Sequence, residues 1–316
     1  MDASVIILTR DAGAFIEKTL KTLSEQITDF TNEIIIIDSS STDKTLDVAK
    51  KYAARIYQIH PSDFGHGRTR NMGFKLASGR VVIYLNGDAI PIGVHWLQNI
   101  LTALFNDPRL AAVYGGSVPR QDCHPHLARD IIQGEWRNPE GNRVIFINNA
   151  SEFRNKEFHE RRRWVAFTTM NCAIRKETLE KIPFKNISFG EDVEWSQRVL
   201  LAGYGIAFVP EARVEHSHNY SVIETMKRYF TDAKFCRDFL DYPHNGKKNF
   251  LSQIHSLGNV FLLDTRYILA LDKSLSYKIY WIIFAVFVRC VQSFSFYLGA
   301  HYKALPEFIS KRLSYC

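Results

Sequence analysis

The side chains best placed to do chemistry sit in a few short clusters. Asn86-Gly87-Asp88 ends the apolar run Val81-Val82-Ile83-Tyr84-Leu85. Asp88 is a hard oxygen ligand of the kind that holds magnesium or manganese against substrate phosphates, although the same Gly-Asp pair would also make an ordinary turn. Glu191-Asp192 opens a helical pattern continued by Val193, Arg198, Val199 and Leu201. Carboxylates in a first helical turn complement the helix dipole, and either could serve as general base for an attacking hydroxyl. His216 and His218 alternate, so on a strand they would face the same way. Such a pair can bind a metal, while a lone histidine is more often structural. Asp38 ends a second apolar run, where it could accept from a base or ribose or cap the next helix. Arg68 and Arg70 fall at a helix start, where exposed N–H groups and a guanidinium can hold phosphate, or where an arginine simply stands in solvent.

The elements that must position these groups follow from the hydrophobic pattern. Ser4–Leu8, Glu33–Asp38, Arg55–Ile59 and Val81–Leu85 read as strands buried on both faces, separated by short helical patterns such as Ile16, Leu20, Leu23. Strands alternating with helices imply right-handed crossovers and a parallel sheet. Thr9, Asp38, Asn86 and Asp88 then arrive at one sheet edge, where open α/β sheets keep their ligands.

Further strands are expected at Ala111–Pro119, Phe167–Arg175, Ile206–Pro210 and Arg213–His218, with a helix at Lys176–Lys181. Cys123–Trp164 reads as a long polar, irregular insertion of the sort used as a lid, with Arg161-Arg162-Arg163 as solvated surface or a phosphate contact. Three helices follow: Ser221–Leu240, Leu251–Leu271 and Tyr277–Leu298. The uninterrupted apolar part of the last falls short of the roughly 20 residues a spanning helix needs. It suits a core hairpin or an interfacial helix equally, given Tyr280, Trp281, Phe284, Phe287 and the bases Lys303, Lys311 and Arg312.

Composition bounds the rest. The 316 residues are 46% hydrophobic and carry a net charge of +7, enough for a large core and suited to anionic partners. Five scattered cysteines without CxxC spacing argue for reduced thiols and against a disulfide framework or zinc site. No basic-then-apolar leader precedes the first strand. The first turn, Thr9-Arg10-Asp11-Ala12-Gly13, has no GxGxxG, and GxxxxGK[ST] is absent, so a dinucleotide fold and a P-loop kinase are not supported. No recognisable nucleic-acid module is present.

Val5-Ile6-Ile7-Leu8-Thr9-Arg10, Ile37-Asp38-Ser39-Ser40-Ser41-Thr42-Asp43, Arg70-Asn71-Met72-Gly73 and Leu85-Asn86-Gly87-Asp88-Ala89-Ile90-Pro91 resemble the inverting GT-A glycosyltransferases of family 2, most closely their rhamnosyltransferase-type members. Phe296–Tyr302 and Leu305-Pro306 resemble the tail of the same enzymes, so the likeness covers nearly the whole chain. It implies a GT-A domain over 1–240, with a nucleotide-binding half to about 118 and an acceptor-binding half from about 119, then a helical segment over 241–316. It implies donor contacts from Thr9, Arg10, Asp38, Ser40, Arg70, Asn86, Gly87 and Asp88, and Mg2+ or Mn2+ held by Asp88 and His216. Asp192 becomes the catalytic base, with Glu191 the nearer alternative, and Asn171, Glu191 and His218 become acceptor contacts. Asn86 departs from the family's DxD pattern: it keeps a carbonyl oxygen but removes a negative charge.

The implied reaction moves a sugar, rhamnose foremost, from a dTDP- or UDP-linked donor to a hydroxyl of a cell-envelope or lipid-linked glycan. Its expected setting is the cytoplasm at the inner face of the membrane, with peripheral membrane contact and homo-oligomerisation both open. Two other classes stay open at this point. A metal-dependent sugar nucleotidyltransferase would also use a parallel sheet and carboxylates, and a non-catalytic nucleotide-sugar-binding scaffold is compatible with Asn86.

Overall fold

A computed structural model describes residues 1–52, 54–134, 143–240, 242 and 250–315. In chain order the elements are β1 (Ala3–Thr9), α1 (Ile16–Ser24), β2 (Asn32–Asp38), α2 (Thr45–Ala49), β3 (Ala54–Gln58), α3 (His66–Leu76), β4 (Val81–Asn86), β5 (Ile90–Pro91), α4 (Trp96–Asn106), β6 (Leu110–Val118), α5 (Pro125–Gln133), β7 (Arg143–Ile145), α6 (Ala150–Asn155), α7 (Phe158–Trp164), β8 (Asn171–Arg175), α8 (Lys176–Lys181), α9 (Glu191–Leu201), β9 (Gly205–Glu215), α10 (Val222–Phe239), α11 (Phe250–Ala270), α12 (Leu275–Ala300) and α13 (Glu307–Leu313). They form two compact units interleaved along the chain. One comprises Met1–Val118, Gly134–Lys156 and Arg163–His216, the other Pro119–Gln133, Glu157–Arg162 and Ser217–Cys316.

The first unit holds the sheet, in the order β3-β2-β1-β4-β8-β6-β9-β5 with β7 on β9. Ile35, Ile36, Ile37 and all of Val81–Leu85 are buried, as strands covered on both faces must be. β3, β2, β1 and β4 run parallel. Because β1 lies between β2 and β4, the strand order reverses there, and such a switch point leaves a crevice at the carboxyl ends. In register, Thr9 stands opposite Asp38 and Leu8 opposite Asn86. β8 then runs antiparallel to both β4 and β6, so the sheet is mixed beyond its parallel half.

Several expectations change. Among the described residues of Cys123–Trp164, helices and a short strand replace the irregular insertion; positions 135–142 lie outside the described residues. The strand expected from Phe167 begins only at Asn171. The two strands expected after Ile206 are one, β9, which bends through register shifts against β6 and stops at Glu215. His216 and His218 therefore lie beyond the strand, and their alternation is not what positions them. Cys123, Cys172 and Cys236 are buried free thiols and Cys290 is exposed; Cys316 lies outside the described residues, as does the expected segment boundary at 241.

The second unit is helical. Ser221 caps α10: its hydroxyl accepts from the Glu224 N–H at 3.2 Å, and the Glu224 carboxylate accepts from the Ser221 N–H at 2.8 Å. Arg289, on α12, donates to both oxygens of Asp264 on α11 at 2.8 and 3.0 Å and to both of Asp130 on α5 at 2.8 and 2.9 Å. Arg129 lies 2.8 Å from Asp264. This buried network fixes three helices together. α12 is 26 residues long and, by length and composition, apolar enough to cross a membrane. The expectation that it falls short counted only its uninterrupted apolar part.

At the edge of the sheet away from the crevice, Glu33 accepts from the Ser4 hydroxyl and the Ser78 N–H at 2.7 Å each and pairs with Arg55 at 2.8 Å. Burial works against its charge, but Arg55, the Ser78 amide and the Ser4 hydroxyl outweigh it and bring its pKa down to about 2 from 4.5. A folded value below the unfolded one means stabilisation fully present above the unfolded value and lost as pH falls through the folded one. Glu33→Gln should therefore cost roughly 1–2 kcal/mol in urea melts at neutral pH, with the gap to the native chain closing between pH 4.5 and about 2. Arg289→Leu strands two buried or half-buried carboxylates and should lower stability by about 3–5 kcal/mol in the same melts.

Candidate active site

The crevice is built from the carboxyl ends of β1, β2 and β4. Thr9 donates its hydroxyl to Asp38 at 2.9 Å, and Asp38 also accepts from the Ser41 N–H at 2.9 Å and the Ser41 hydroxyl. Asp38 has no exposed surface, so in this structure its carboxylate organises the β2 end rather than facing outward. Ser40 takes a left-handed φ of 54° and donates its hydroxyl to the Ile59 carbonyl, while Arg10 is exposed in the β1 turn. After β4 the chain must pass close to β1: a Cβ at Gly87 would meet Thr9 Cγ2 at 2.9 Å. Thr19 fixes this turn by donating its hydroxyl to the Gly87 carbonyl at 3.1 Å.

Asp88 and His216 are brought together by a two-residue ladder. β5 follows Asp88 by one residue and pairs antiparallel with β9, Ile90 opposite Glu215 and Pro91 opposite Val214. That register sets the residue after Glu215 beside the turn that carries Asp88. His216 Nε2 lies 3.5 Å from Asp88 Oδ2, and the His216 amide donates to the Val118 carbonyl at 2.9 Å. Two adjacent ligands of one octahedral ion stand about 3 Å apart, and a carboxylate with an imidazole suits manganese supplemented by phosphate oxygens better than magnesium, which prefers oxygen ligands. These residues fit such a cation. Asn86, at the β4 end, is half-buried and its carbonyl accepts from the Ala89 N–H, which closes the turn.

The acid pair divides into two environments. Gly190 precedes α9 with φ at 74°, a conformation glycine adopts without strain. Glu191 follows, buried, and forms an ion pair with Arg70 of α3, also buried. The Arg70 carbonyl accepts from the Tyr84 hydroxyl at 2.8 Å, and its guanidinium lies 5.9 Å from the Tyr84 ring centre. Asp192 is only half-buried, its Oδ1 accepting from the Val193 N–H at 2.8 Å. Burial pushes the Cys172 thiol up, Arg70 draws it down and Asp192 adds to the rise. Both charges therefore act on β8 beside Tyr84, which stands opposite Cys172 in the ladder. Tyr84 was the residue missed in sequence; a lone tyrosine in an otherwise aliphatic strand was its signal.

Asn171 and Arg68 lie elsewhere. Asn171 is fully buried: it accepts from Trp96 Nε1 at 3.1 Å and donates to the Ala212 and Gly116 carbonyls at 2.7 and 3.3 Å. With its amide consumed in the core it is a strut between β6, β8, β9 and α4, and cannot touch an acceptor. Arg68 donates to the Ser62 and Phe64 carbonyls and lines a cavity of about 470 Å3 with Asn71, Met72 and Lys75 that includes none of the acid or histidine residues. His218 belongs to the second unit.

A crevice at the switch point of a mixed sheet, with a carboxylate–imidazole pair at its edge, is the architecture of the GT-A class of sugar-transferring enzymes. The family described as "Glycosyl transferase family 2" matches residues 4–182, and the chain belongs to that family. It is 32% identical over 286 residues to the O-antigen chain rhamnosyltransferase WbaN of Salmonella anatum, covering 87% of this chain and 82% of that one. To the O-antigen chain rhamnosyltransferase RfbN of Salmonella typhimurium it is 28% identical, covering 97% and 92%. The fold is similar to that of the mannosyltransferase PcManGT from Pyrobaculum calidifontis in complex with GDP-Man and Mn2+, with a TM-score of 0.59 at 16% identity over 96% of this chain and 88% of that one. The protein is thus a glycosyltransferase, and the nucleotidyltransferase and scaffold alternatives are set aside.

Removing one partner of the Arg70–Glu191 pair leaves a buried charge uncompensated. Arg70→Met should cost about 3–5 kcal/mol of stability, and adding Glu191→Gln should recover much of it. Additive losses in the double variant, measured by denaturant melts, would contradict the coupling.

Proposed function

We propose that this chain moves a sugar, rhamnose foremost, from a dTDP- or UDP-linked donor to a hydroxyl of a lipid-linked cell-envelope glycan, with inversion at the anomeric carbon. The observation that carries the reading is the meeting of Asp88 and His216 at the crevice edge. The two rhamnosyltransferase relatives support the sugar and the glycan. The proposed regions are a catalytic part over 1–240, its nucleotide half to about 118 and its acceptor half beyond, and a helical segment from 241. The setting is the cytoplasmic face of the membrane, where such an acceptor is met.

Thr9, Arg10, Asp38 and Ser40 form the end of the crevice that takes the nucleoside, with Asp38 holding the Thr9 and Ser41 hydroxyls in place. Asn86, Gly87 and Asp88 line the diphosphate, and Arg70, pinned by Glu191, supplies positive charge behind it. Asp88 and His216 would hold Mg2+ or Mn2+, which offsets the charge developing on the leaving diphosphate. Asp192 accepts the proton of the acceptor hydroxyl. The freed oxygen pair attacks the anomeric carbon from the face opposite the diphosphate, and the bond to the leaving nucleotide breaks with its electron pair. Glu191, committed to Arg70, is a positioning residue for this step. His218, two residues past His216, is assigned to the acceptor side.

Asp192→Asn should lower kcat about a thousandfold while leaving the donor's KM nearly unchanged, whereas Glu191→Gln should do less and should raise the donor's KM. The assay is release of dTDP or UDP together with glycosylated acceptor. Full transfer by Asp192→Asn contradicts the assignment of the base.

A further inference from the structure

α12 is built inside out for a helix in water. The face it turns into its own unit carries Ala285, Val288, Arg289, Gln292, Ser295, Gly299 and Ala300, all buried. The opposite face carries Ile279, Ile283, Phe287, Cys290, Phe294 and Tyr297, three or four residues apart and all exposed. Ile283 is 65% exposed and Phe294 62%, and only 28% of the helix's most apolar window is buried. A surface helix in water places its apolar stripe inward and its charges outward; here the large apolar side chains stand outward and the arginine inward, among small residues and Val288. The stripe runs about 27 Å without a charge, and patches of that kind mark interaction surfaces.

Three further observations choose the occupant. Setting aside the buried Arg289 and its partner Asp264, the chain from residue 265 onward carries six lysines and arginines against two acids, a bias that draws an anionic surface. Exposed Tyr297 in the stripe and Tyr280 beside it are side chains favoured where apolar and wet layers meet. An apolar hollow of about 240 Å3, lined by Tyr280, Ile283, Phe284 and Phe287, opens on the same face. Crossing the bilayer is disfavoured by the other side of the helix. There Arg289 is committed to Asp130 and Asp264, and α10, which carries Lys227, Arg228, Asp232, Lys234, Arg237 and Asp238, packs along α12.

We propose that the exposed stripe of α12 seats in the interfacial layer of an anionic phospholipid bilayer, with the helix axis parallel to the membrane plane. The seat deepens the reading of a lipid-linked acceptor, for it would hold the enzyme where that acceptor lies, but its geometry does not depend on the transfer reaction.

The test floats the full chain, without donor or acceptor, on vesicles of phosphatidylglycerol and phosphatidylethanolamine and on vesicles of phosphatidylcholine alone. The native chain should float with the anionic vesicles, partition far less onto the neutral ones, and be stripped by alkaline carbonate. Ile283→Glu with Phe287→Glu should lower partitioning tenfold or more, on the order expected for lost apolar burial, while transfer to a water-soluble acceptor fragment continues. A polarity-sensitive dye on Cys290, in a Cys316→Ser background, should shift to the blue on adding anionic vesicles. No flotation of the native chain, resistance to carbonate, or a native dimer in light scattering that the double variant returns to monomer would each overturn the proposal. Flotation intact with transfer absent would instead count against the enzymatic reading alone.

Discussion

The two-residue ladder between β5 and β9 is the constraint on which the site depends. Asp88 and His216 are separated by most of the sheet-forming chain, and neither lies in a regular element. What holds them 3.5 Å apart is the pairing of Ile90 with Glu215 and Pro91 with Val214. That pairing in turn requires β9 to bend past β6, which it does through the register shifts near Gly115 and Leu110. Proline suits β5, because an edge strand need not donate on its outer side. Irregular backbone at the sheet's end is thus held by the shortest strand in it, and the Asp88–His216 pair inherits its geometry.

A second constraint separates two acids that stand side by side in sequence. The buried pair with Arg70 ties the start of α9 to α3, and Tyr84 ties α3 to the centre of the sheet. Buried ion pairs add little to stability by themselves, because desolvation offsets attraction; their best-attested use is to fix register. Here the pair holds Glu191 in the scaffold while its neighbour Asp192 stays half-buried. Glu191 is spent on the scaffold, Glu194 on Lys185 and Arg198 at 2.7 and 2.9 Å, and Asp192 accepts from the Val193 N–H of its own helix.

Much of this was legible in the chain. The continuous runs Ile34–Ile37 and Val81–Leu85 could only be doubly covered strands, and their polar ends had to share an edge once the strands were parallel. Other features were hidden for physical reasons. The antiparallel insertion of β8 leaves no periodicity signal, since a buried strand looks the same in either direction. The proximity of His216 to Asp88 comes from a two-residue strand too short to show a pattern. Asn171 was expected as an acceptor contact from the resemblance, which carries no information about burial, and its amide is consumed by Trp96, Gly116 and Ala212 in the core. α12 was read as core or interface, and only the placement of Arg289 opposite Ile283 shows that its polarity is reversed.

The central claim is that Asp88 and His216 take one divalent cation between them. Pulsed electron paramagnetic resonance of Mn2+ added with nucleoside diphosphate reads that contact directly, through the magnetic coupling of a ligating imidazole nitrogen. The account predicts nitrogen modulation in the native chain that disappears in His216→Gln, with weaker Mn2+ retained through Asp88. Native spectra without nitrogen coupling, or coupling unchanged in His216→Gln, would contradict it.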